Sequence, residues 1–496
     1  MEVLLVLGGI IMTNYLDLSL IEINNKLKNR EIKPIDLVME CFSKIENNED
    51  LNCFITLNKE EAIKKALELE NKEVDNILFA IPIAIKDNII TKGLKTTCGS
   101  NMLNNFIPTY DAYVINKINN CNMIVIGKTN MDEFAMGSSN QTSYFGCVLN
   151  AWNKSKVSGG SSGGSAVSVS SRIVPFALGS DTGGSIRQPS AFNGIVGLKP
   201  TYGRVSRYGL VSFASSLDQI GPMSRNVLEN SMLLNCIVGK DNNDLTSCEK
   251  DIEDFSRLIG EDIKGIKIAI PNFYVNDNIN NDIKANFNNV VNMLKNKGVI
   301  VDYVDIDYIE YSVPLYQIIA LAEASSNLAR FDGIRYGYCT DKKINNADEL
   351  YKYNRGEGFG EEVKRRIMIG SYVLSGDNVQ EYYYKALSIR KIISDGFSNL
   401  FKEYDYIIGP TTTTLPYNIG EGQNDAVKSF FDDLLTIPVN MAGLPAMSLP
   451  IGINNNLPIG MQIICNKFEE AKIYKLASFI EKELNLNLDP RGDLNE

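Results

Sequence analysis

The alternation of apolar and polar residues divides the first half of the chain into helices and buried strands. Apolar residues recur at helical spacing over 18–29 and 34–47, and a Glu-, Lys- and Ala-rich segment over 58–72 predicts a third helix. Apolar runs at 77–85, 123–126 and 174–178 predict buried strands, and a further helix is predicted near 110–120. This order is typical of an α/β sheet with helices on its faces.

The second half of the chain continues this pattern. Runs at 267–271, 299–304 and 406–409 predict later strands, the charged stretch 350–395 predicts long helices, and the acidic stretch 240–265 predicts a surface excursion. No internal repeat or low-complexity linker divides the sequence. We therefore expect one large domain over 12–490 with a helical elaboration near its middle.

The apolar stretch 3–11 is too short to span a bilayer and lacks the cationic start of a signal peptide. Two interpretations remain for residues 1–11. They form a buried leading strand, or they are an extension produced by a start codon placed too early. The pair Met12-Thr13, just before the first helix, favours the second interpretation.

Composition excludes several kinds of site. The chain contains no histidine, which removes the Ser-His-Asp triad, the Cys-His pair and every His-ligated metal site. A net charge of −11 argues against a broad nucleic-acid-binding face. The nine cysteines form no C-x-x-C pair, so reduced core cysteines of a cytoplasmic protein are the preferred interpretation.

Two glycine- and serine-rich segments, 155–171 and 181–187, carry the candidate chemistry. A flexible linker is one interpretation of the first, but Val167 and Val169 interrupt its polarity and predicted strands flank it. A phosphate-binding P-loop is another, but it requires a lysine after its last glycine, where this chain has Ser165. A catalytic serine site is the more coherent interpretation.

Ser185 follows two glycines and is expected at a helix N-terminus, as a candidate nucleophile. The backbone N–H groups of Thr182, Gly183, Gly184 and Ser185 are candidates for an oxyanion hole. Without histidine, the candidate base is Lys86, at the end of a buried strand where desolvation would lower its pKa. Ser161 is the candidate proton relay between the two.

These residues stand in three motifs that resemble the amidase signature family. The motifs are Ile-Pro-Ile-Ala-Ile-Lys-Asp (81–87), Gly-Gly-Ser-Ser-Gly-Gly-Ser (159–165) and Asp-Thr-Gly-Gly-Ser-Ile-Arg-Gln-Pro (181–189). The resemblance implies a Ser–cis-Ser–Lys triad, with Ser185 as nucleophile, Ser161 as the bridge preceded by a cis peptide bond, and Lys86 as base. It also implies a single α/β domain with a mixed β-sheet core covered by helices on both faces.

The stretches 131–137, 323–336, 362–371 and 433–443 resemble a narrower group in this family, the glutamine-hydrolysing subunits of tRNA-dependent amidotransferases. This resemblance implies that the chain hydrolyses glutamine and passes ammonia to a cytoplasmic hetero-oligomer with amidotransferase subunits B and C. There, Glu-tRNA(Gln) becomes Gln-tRNA(Gln). It further implies that this chain binds no cofactor, that ATP and Mg²⁺ act at the partner subunit, and that no membrane is involved.

Free glutamine carries both charges, so its site should offer both. By the resemblance, Arg366 would bind the α-carboxylate, Asp433 the α-ammonium, and Tyr316 would be a third contact. A shift by one position, to Arg365 or Asp432, remains open, and Arg366 is equally well interpreted as a surface helix charge.

Two other functions also remain open. One is a free-standing amidase acting on a small amide, which would not need a charged pair in its pocket. The other is a catalytically silent scaffold, which would not need a triad.

Overall fold

The computed structural model describes residues 14–421 and 431–491, and residues 1–11 lie outside them, so neither interpretation of that segment is tested. In the described part, a mixed sheet of eleven strands forms the core. The strands are β1 (Phe54–Leu57), β2 (Pro82–Lys86), β3 (Ile124–Thr129), β4 (Phe176–Asp181), β5 (Val196–Lys199), β6 (Gln219–Ser224), β7 (Lys267–Pro271), β8 (Ile300–Val304), β9 (Tyr406–Pro410), β10 (Ala446–Asn454) and β11 (Leu457–Ile464).

The α-helices of the described residues lie between and around these strands. They are α1 (Leu20–Lys28), α2 (Pro34–Asn47), α3 (Lys59–Leu69), α4 (Tyr113–Asn120), α5 (Gly163–Ser170), α6 (Arg187–Asn193), α7 (Val227–Ile237), α8 (Asn281–Asn296), α9 (Ser312–Asn327), α10 (Ala347–Gly358), α11 (Glu361–Val373), α12 (Lys385–Leu400), α13 (Ile437–Ala442) and α14 (Glu470–Leu484). A π-helix at Val379–Tyr384 leads into α12.

The strand order is β1-β3-β2-β4-β6-β5-β10-β11-β9-β7-β8. Strands β3, β2 and β4 are parallel, as are β9, β7 and β8, while the pairs from β4 to β9 through the centre are antiparallel. Helices α5 and α6 contact each other, α7 contacts α14, and both groups also contact β5. Helices therefore pack against the central strands of the sheet, and the expected mixed α/β fold is confirmed.

The parallel pair β2 and β4 positions the candidate chemistry. Ile83 lies opposite Phe176 and Ile85 opposite Leu178, so the carboxyl ends of both strands meet at one edge of the sheet. Lys86 ends β2, and the 182–186 loop follows β4 directly. Ligands of α/β sheets commonly bind beyond this edge.

Most predicted elements are present, with shifted boundaries. The helix predicted over 34–47 is α2 without a shift, and its Pro34 occupies the first helical turn. The strand predicted over 77–85 begins only at Pro82, because the Ile81 N–H donates to the Leu78 carbonyl oxygen at 3.1 Å and Ala80 has a φ of +60°. That tight turn is apolar because it is buried, so hydrophobicity alone mistakes it for strand.

The helical elaboration is confirmed and includes α10, α11 and α12, which lie along the chain between β8 and β9. Residues 240–265 contain neither a helix nor a strand, as expected of an excursion, although Phe255 and Ile263 are buried anchors within it. No helix of the described ranges is both long enough and apolar enough to cross a membrane.

Candidate active site

Lys86 is completely buried, and its amine lies among serine oxygens. Its Nζ is 2.7 Å from Ser161 Oγ, 2.8 Å from Ser162 Oγ, 2.9 Å from Ser180 Oγ and 3.2 Å from the Ser180 carbonyl oxygen. A neutral amine has two N–H donors and one lone pair, so one of these hydroxyls can donate to it rather than accept.

Burial lowers the pKa of Lys86 to about 7, because an ammonium ion loses its hydration inside the protein. The carboxylates of Asp132, Asp181 and Asp218 act in the opposite direction but do not offset the burial. Lys86 is therefore about half neutral near pH 7, which a base requires.

Ser161 belongs to a buried, ordered loop, so the flexible-linker interpretation of 155–171 is wrong. Residues 163–170 form α5, all of it buried, and the Gly160–Ser161 peptide bond is cis. The Gly160 N–H donates to Gln188 Oε1 at 3.0 Å, and a Cβ atom at Gly160 would collide with Asp132 Oδ2. The glycines are needed because other protein segments pack directly against this backbone.

The packing of this segment gives no support to the P-loop interpretation. A Cβ atom at Gly159 would lie 2.5 Å from Gln188 Oε1, and the Gly160 N–H already donates to that oxygen, so this backbone packs against the protein's own side chains. Within the described ranges, there is no group of three or more His, Cys, Asp or Glu residues that could hold a metal ion.

Ser185 lies beside this loop, and its carbonyl oxygen accepts a hydrogen bond from the Ser162 N–H at 3.2 Å. Ser185 is 4% exposed. Helix α6 begins at Arg187, so Ser185 precedes the helix by two residues instead of beginning it. Among the described residues, the N–H groups of Gly183, Gly184 and Ser185 donate to no other group, so they are available to a ligand.

Asp181 and Thr182 hold the backbone of this second loop. The Asp181 carboxylate accepts hydrogen bonds from Arg187 at 3.0 and 3.1 Å and from Asn440 at 2.8 Å. Burial alone would raise the pKa of Asp181, but the Arg187 guanidinium lowers it below its ordinary value. The Thr182 hydroxyl donates to Asp218 Oδ1 at 2.7 Å, and burial raises the pKa of that aspartate to about 6.

Tyr316 and Asp433 line the same loop from the opposite side. A Cβ atom at Gly183 would lie 3.0 Å from the Tyr316 ring, and one at Gly184 would overlap Asp433 Oδ1. That buried oxygen has no hydrogen-bond partner among the described residues, whereas the neighbouring Asp432 accepts from Ser138 at 2.9 Å and from Tyr417 at 2.7 Å. The geometry therefore favours Asp433 over Asp432 as the residue open to a ligand.

Burial raises the pKa of Asp433 well above its ordinary value, and the neighbouring carboxylates of Asp432 and Asp181 raise it further. The guanidinium groups of Arg187 and Arg366 oppose this rise. A cation bound beside Asp433 would add to their effect and favour the carboxylate form.

Arg366 is buried, at 3% exposure, so the surface-charge interpretation is wrong for this residue. Its guanidinium lies 5.7 Å from the centre of the Phe213 ring, and Phe213 contacts Tyr316 edge-on at 6.4 Å. Its Nε also donates to Glu362 Oε1 at 2.6 Å. The Arg365 side chain is 32% exposed, so the inward-facing position is 366.

Several residues of the site were not assigned a role from the sequence. Asp132 accepts from the Asn140 N–H at 2.9 Å and from the Thr142 hydroxyl at 2.8 Å, and its N–H donates to the Ser161 carbonyl oxygen at 3.3 Å. Its neighbour Glu133 accepts from the Gly360 N–H at 2.9 Å, at the start of the helix that bears Arg366. Burial raises the pKa of Glu133 to about 7. The only signal for either residue was the 131–137 stretch itself.

Comparison with known proteins shows the family of this chain. The amidase family model matches residues 36–474. The A subunit of the glutamyl-tRNA(Gln) amidotransferase of Staphylococcus carnosus is 49% identical over 474 residues, covering 95% of this chain and 98% of that protein. The corresponding protein of Pediococcus pentosaceus is 50% identical over 470 residues, covering 94% and 96%.

Solved structures give the same picture of the fold. The crystal structure of the same amidotransferase component from Thermotoga maritima is 40% identical, with a TM-score of 0.80, and the match covers 97% of this chain and 98% of that one. The peptide amidase of Stenotrophomonas maltophilia is 24% identical, with a TM-score of 0.81 over 97% and 99%, and it supports the fold alone.

Proposed function

Because this chain belongs to the amidase family, we propose that it is the glutamine-hydrolysing subunit of a glutamyl-tRNA(Gln) amidotransferase. The observation that carries the proposal is that Asp433 packs against the loop that bears Ser185, while the buried guanidinium of Arg366 lies near enough to lower the pKa of that carboxyl. A free amino acid needs both charges, and a small neutral amide needs neither. The identity of about half of all residues to such subunits, over nearly the whole chain, supports the same assignment.

In the proposed reaction, neutral Lys86 receives the proton of the Ser185 hydroxyl through Ser161. The Ser185 oxygen attacks the side-chain amide carbon of glutamine. The N–H groups of residues 182–185 stabilise the negative charge that develops on the amide oxygen, a contribution of about 10²–10³ in rate per donor. Collapse of this intermediate returns the proton to the leaving nitrogen and releases ammonia. Water then hydrolyses the glutamyl ester at Ser185 and releases glutamate.

Substrate orientation follows from the charged pair. Arg366 binds the α-carboxylate, Asp433 binds the α-ammonium, and Tyr316 closes the side of the pocket. The amino-acid end is thereby held away from Ser185, and the side-chain amide is directed towards it. Binding of the ammonium would offset the burial of Asp433, so the pocket is matched to a cationic group.

Ammonia then passes to partner subunits B and C in a cytoplasmic hetero-oligomer, where ATP-activated Glu-tRNA(Gln) is amidated. We assign ATP, Mg²⁺ and tRNA to the partners because this chain has a net charge of −11 and its glycine-rich loop lacks the lysine of a P-loop. This chain would then contribute only the ammonia.

The test is to purify the tagged protein from its own cells with whatever other chains accompany it. The complex is assayed for amidation of Glu-tRNA with glutamine or with ammonium chloride as nitrogen donor. We expect Ser185→Ala to abolish the glutamine-dependent reaction and to retain the ammonium-dependent one. Ser398→Ala, which removes an exposed hydroxyl of α12, should behave as wild type.

Normal glutamine-dependent turnover by Ser185→Ala would disprove the nucleophile assignment. Purification without partners, together with equal hydrolysis of glutamine and a neutral amide, would instead identify a free-standing amidase.

A further inference from the structure

Two cysteines far apart in sequence lie side by side outside the active site. Cys121 directly follows α4, and Cys236 lies in the last turn of α7, the helix that packs against α4. Their sulfur atoms are 3.2 Å apart, with the Cys236 thiol donating to Cys121 Sγ. No other pair among the nine cysteines, all of which lie in the described ranges, has such a contact between sulfurs.

The surroundings of the pair make the two thiols unequal. The hydrogen bond from Cys236 and the charge of Lys117 lower the pKa of Cys121 to about 7, against the effects of burial and of Asp75. The same hydrogen bond, together with burial, raises the pKa of Cys236. Cys121 is also the more exposed of the two. Cys121 therefore has the properties of an attacking thiolate, and Cys236 those of a resolving thiol.

We propose that Cys121 and Cys236 are a redox modification site that forms a reversible disulfide when the protein meets a small-molecule disulfide such as oxidised glutathione. The Cys121 thiolate attacks one sulfur of the oxidant, whose other half leaves as a thiolate. Cys236 then loses its proton to that leaving thiolate and attacks Cys121 Sγ, releasing the second thiol. Two protein thiols are oxidised, and one external disulfide is reduced to two thiols.

The bridge would close a long segment of the chain, since its ends are 115 positions apart. That segment contains both glycine- and serine-rich loops, including Ser161 and Ser185. A crosslink stabilises mainly by restricting the unfolded chain, and long loops gain the most. The bridge would therefore hold the serine-bearing part of the domain against thermal unfolding. A transient disulfide of this kind is compatible with a reducing compartment.

The test is to incubate the full-length protein with mixtures of oxidised and reduced glutathione, quench with acid, and alkylate the remaining thiols. Intact mass and peptide mapping then count and locate the bridges. We expect the free thiols to fall from nine to seven, with a crosslinked peptide pair containing Cys121 and Cys236. The midpoint of thermal unfolding should rise by about 5 °C and return after treatment with dithiothreitol.

Variants distinguish a built pair from general oxidation. In Cys236→Ser, we expect glutathione to remain attached to Cys121, whereas Cys248→Ser, which removes a cysteine without a cysteine neighbour, should form the bridge as wild type does. If Cys236→Ser does not fold, Cys121→Ser at the more exposed position should simply fail to form a bridge. No loss of thiols in the wild type, or bridges spread over other cysteines, would overturn the proposal.

Discussion

The sharpest prediction concerns the amine of Lys86. An ordinary lysine with a pKa of 10.5 is neutral in about 3 of 10⁴ molecules at pH 7, whereas a pKa of about 7 leaves half of them neutral. The fold thus increases the amount of available base about 10³-fold. Lys86→Arg cannot supply a neutral base, because arginine stays protonated, and Lys86→Met has no amine. Both variants should lose about 10²–10⁴ in kcat.

The burial that supplies a neutral base also destabilises the folded protein. Because the pKa of Lys86 is lower in the folded state than in the unfolded state, the free energy of unfolding falls as the pH decreases from 10.5 towards 7. At pH 7 the loss is about 4 kcal/mol. Lys86→Met avoids this loss but leaves Ser161, Ser162 and Ser180 without their shared partner, which costs about 1 kcal/mol each. We therefore expect Lys86→Met to be inactive without a lower midpoint of thermal unfolding.

The assay is ammonia release from glutamine by the purified complex, coupled to glutamate dehydrogenase, with kcat/KM measured between about pH 5.5 and pH 8.5. Wild-type kcat/KM should rise about tenfold per pH unit below about pH 7 and level off above it. Lys64→Met, which replaces a lysine with a 64% exposed side chain, is the control. A flat pH profile, or more than about a tenth of wild-type activity in Lys86→Arg, would refute the role of the neutral amine.

Two further predictions test the pocket and its support. Arg366→Met should raise the KM for glutamine about 10- to 100-fold and leave the KM for a neutral amide nearly unchanged. Arg365→Met, at the more exposed neighbouring position, is the control. Equal effects on both substrates would exclude a contact between Arg366 and the α-carboxylate. Burial raises the pKa of Glu133 from 4.5 to about 7. The contribution of its protonated carboxyl to the free energy of unfolding is therefore fully present below pH 4.5, and about 3 kcal/mol of it is lost as the pH rises to 7. Glu133→Gln should remove this part of the pH dependence of unfolding. Glu361→Gln, which changes a 93% exposed side chain on the same helix as Arg366, should leave it in place. Identical curves of stability against pH for Glu133→Gln and wild type would contradict the raised pKa of Glu133.

The local sequence pattern predicts which helices and strands exist better than it predicts where they begin and end. Helix α2 was predicted without a shift, because its apolar stripe and Pro34 are both local signals. The start of β2 was missed, because the turn at 78–81 is as apolar as the strand it precedes. The pattern assigned no structure to β10 and β11, although they pair over eight positions near the centre of the sheet.

The chain alone indicates the family, the absence of a histidine-based mechanism and the three motifs that contain Lys86, Ser161 and Ser185. Those features are contiguous, and their chemistry follows from residue type and neighbours. The packing of distant elements was needed to show that Arg366 is buried while Arg365 is partly exposed. It was also needed to show that Asp433 Oδ1 has no hydrogen-bond partner among the described residues, while Asp432 accepts from Ser138 and Tyr417. It also revealed that Asn440 supports Asp181 from 259 positions away and that Cys121 meets Cys236. Hydrophobic periodicity specifies which face of an element is buried, but a hydrogen-bond partner depends on how distant elements pack, and that is decided when the whole sheet assembles.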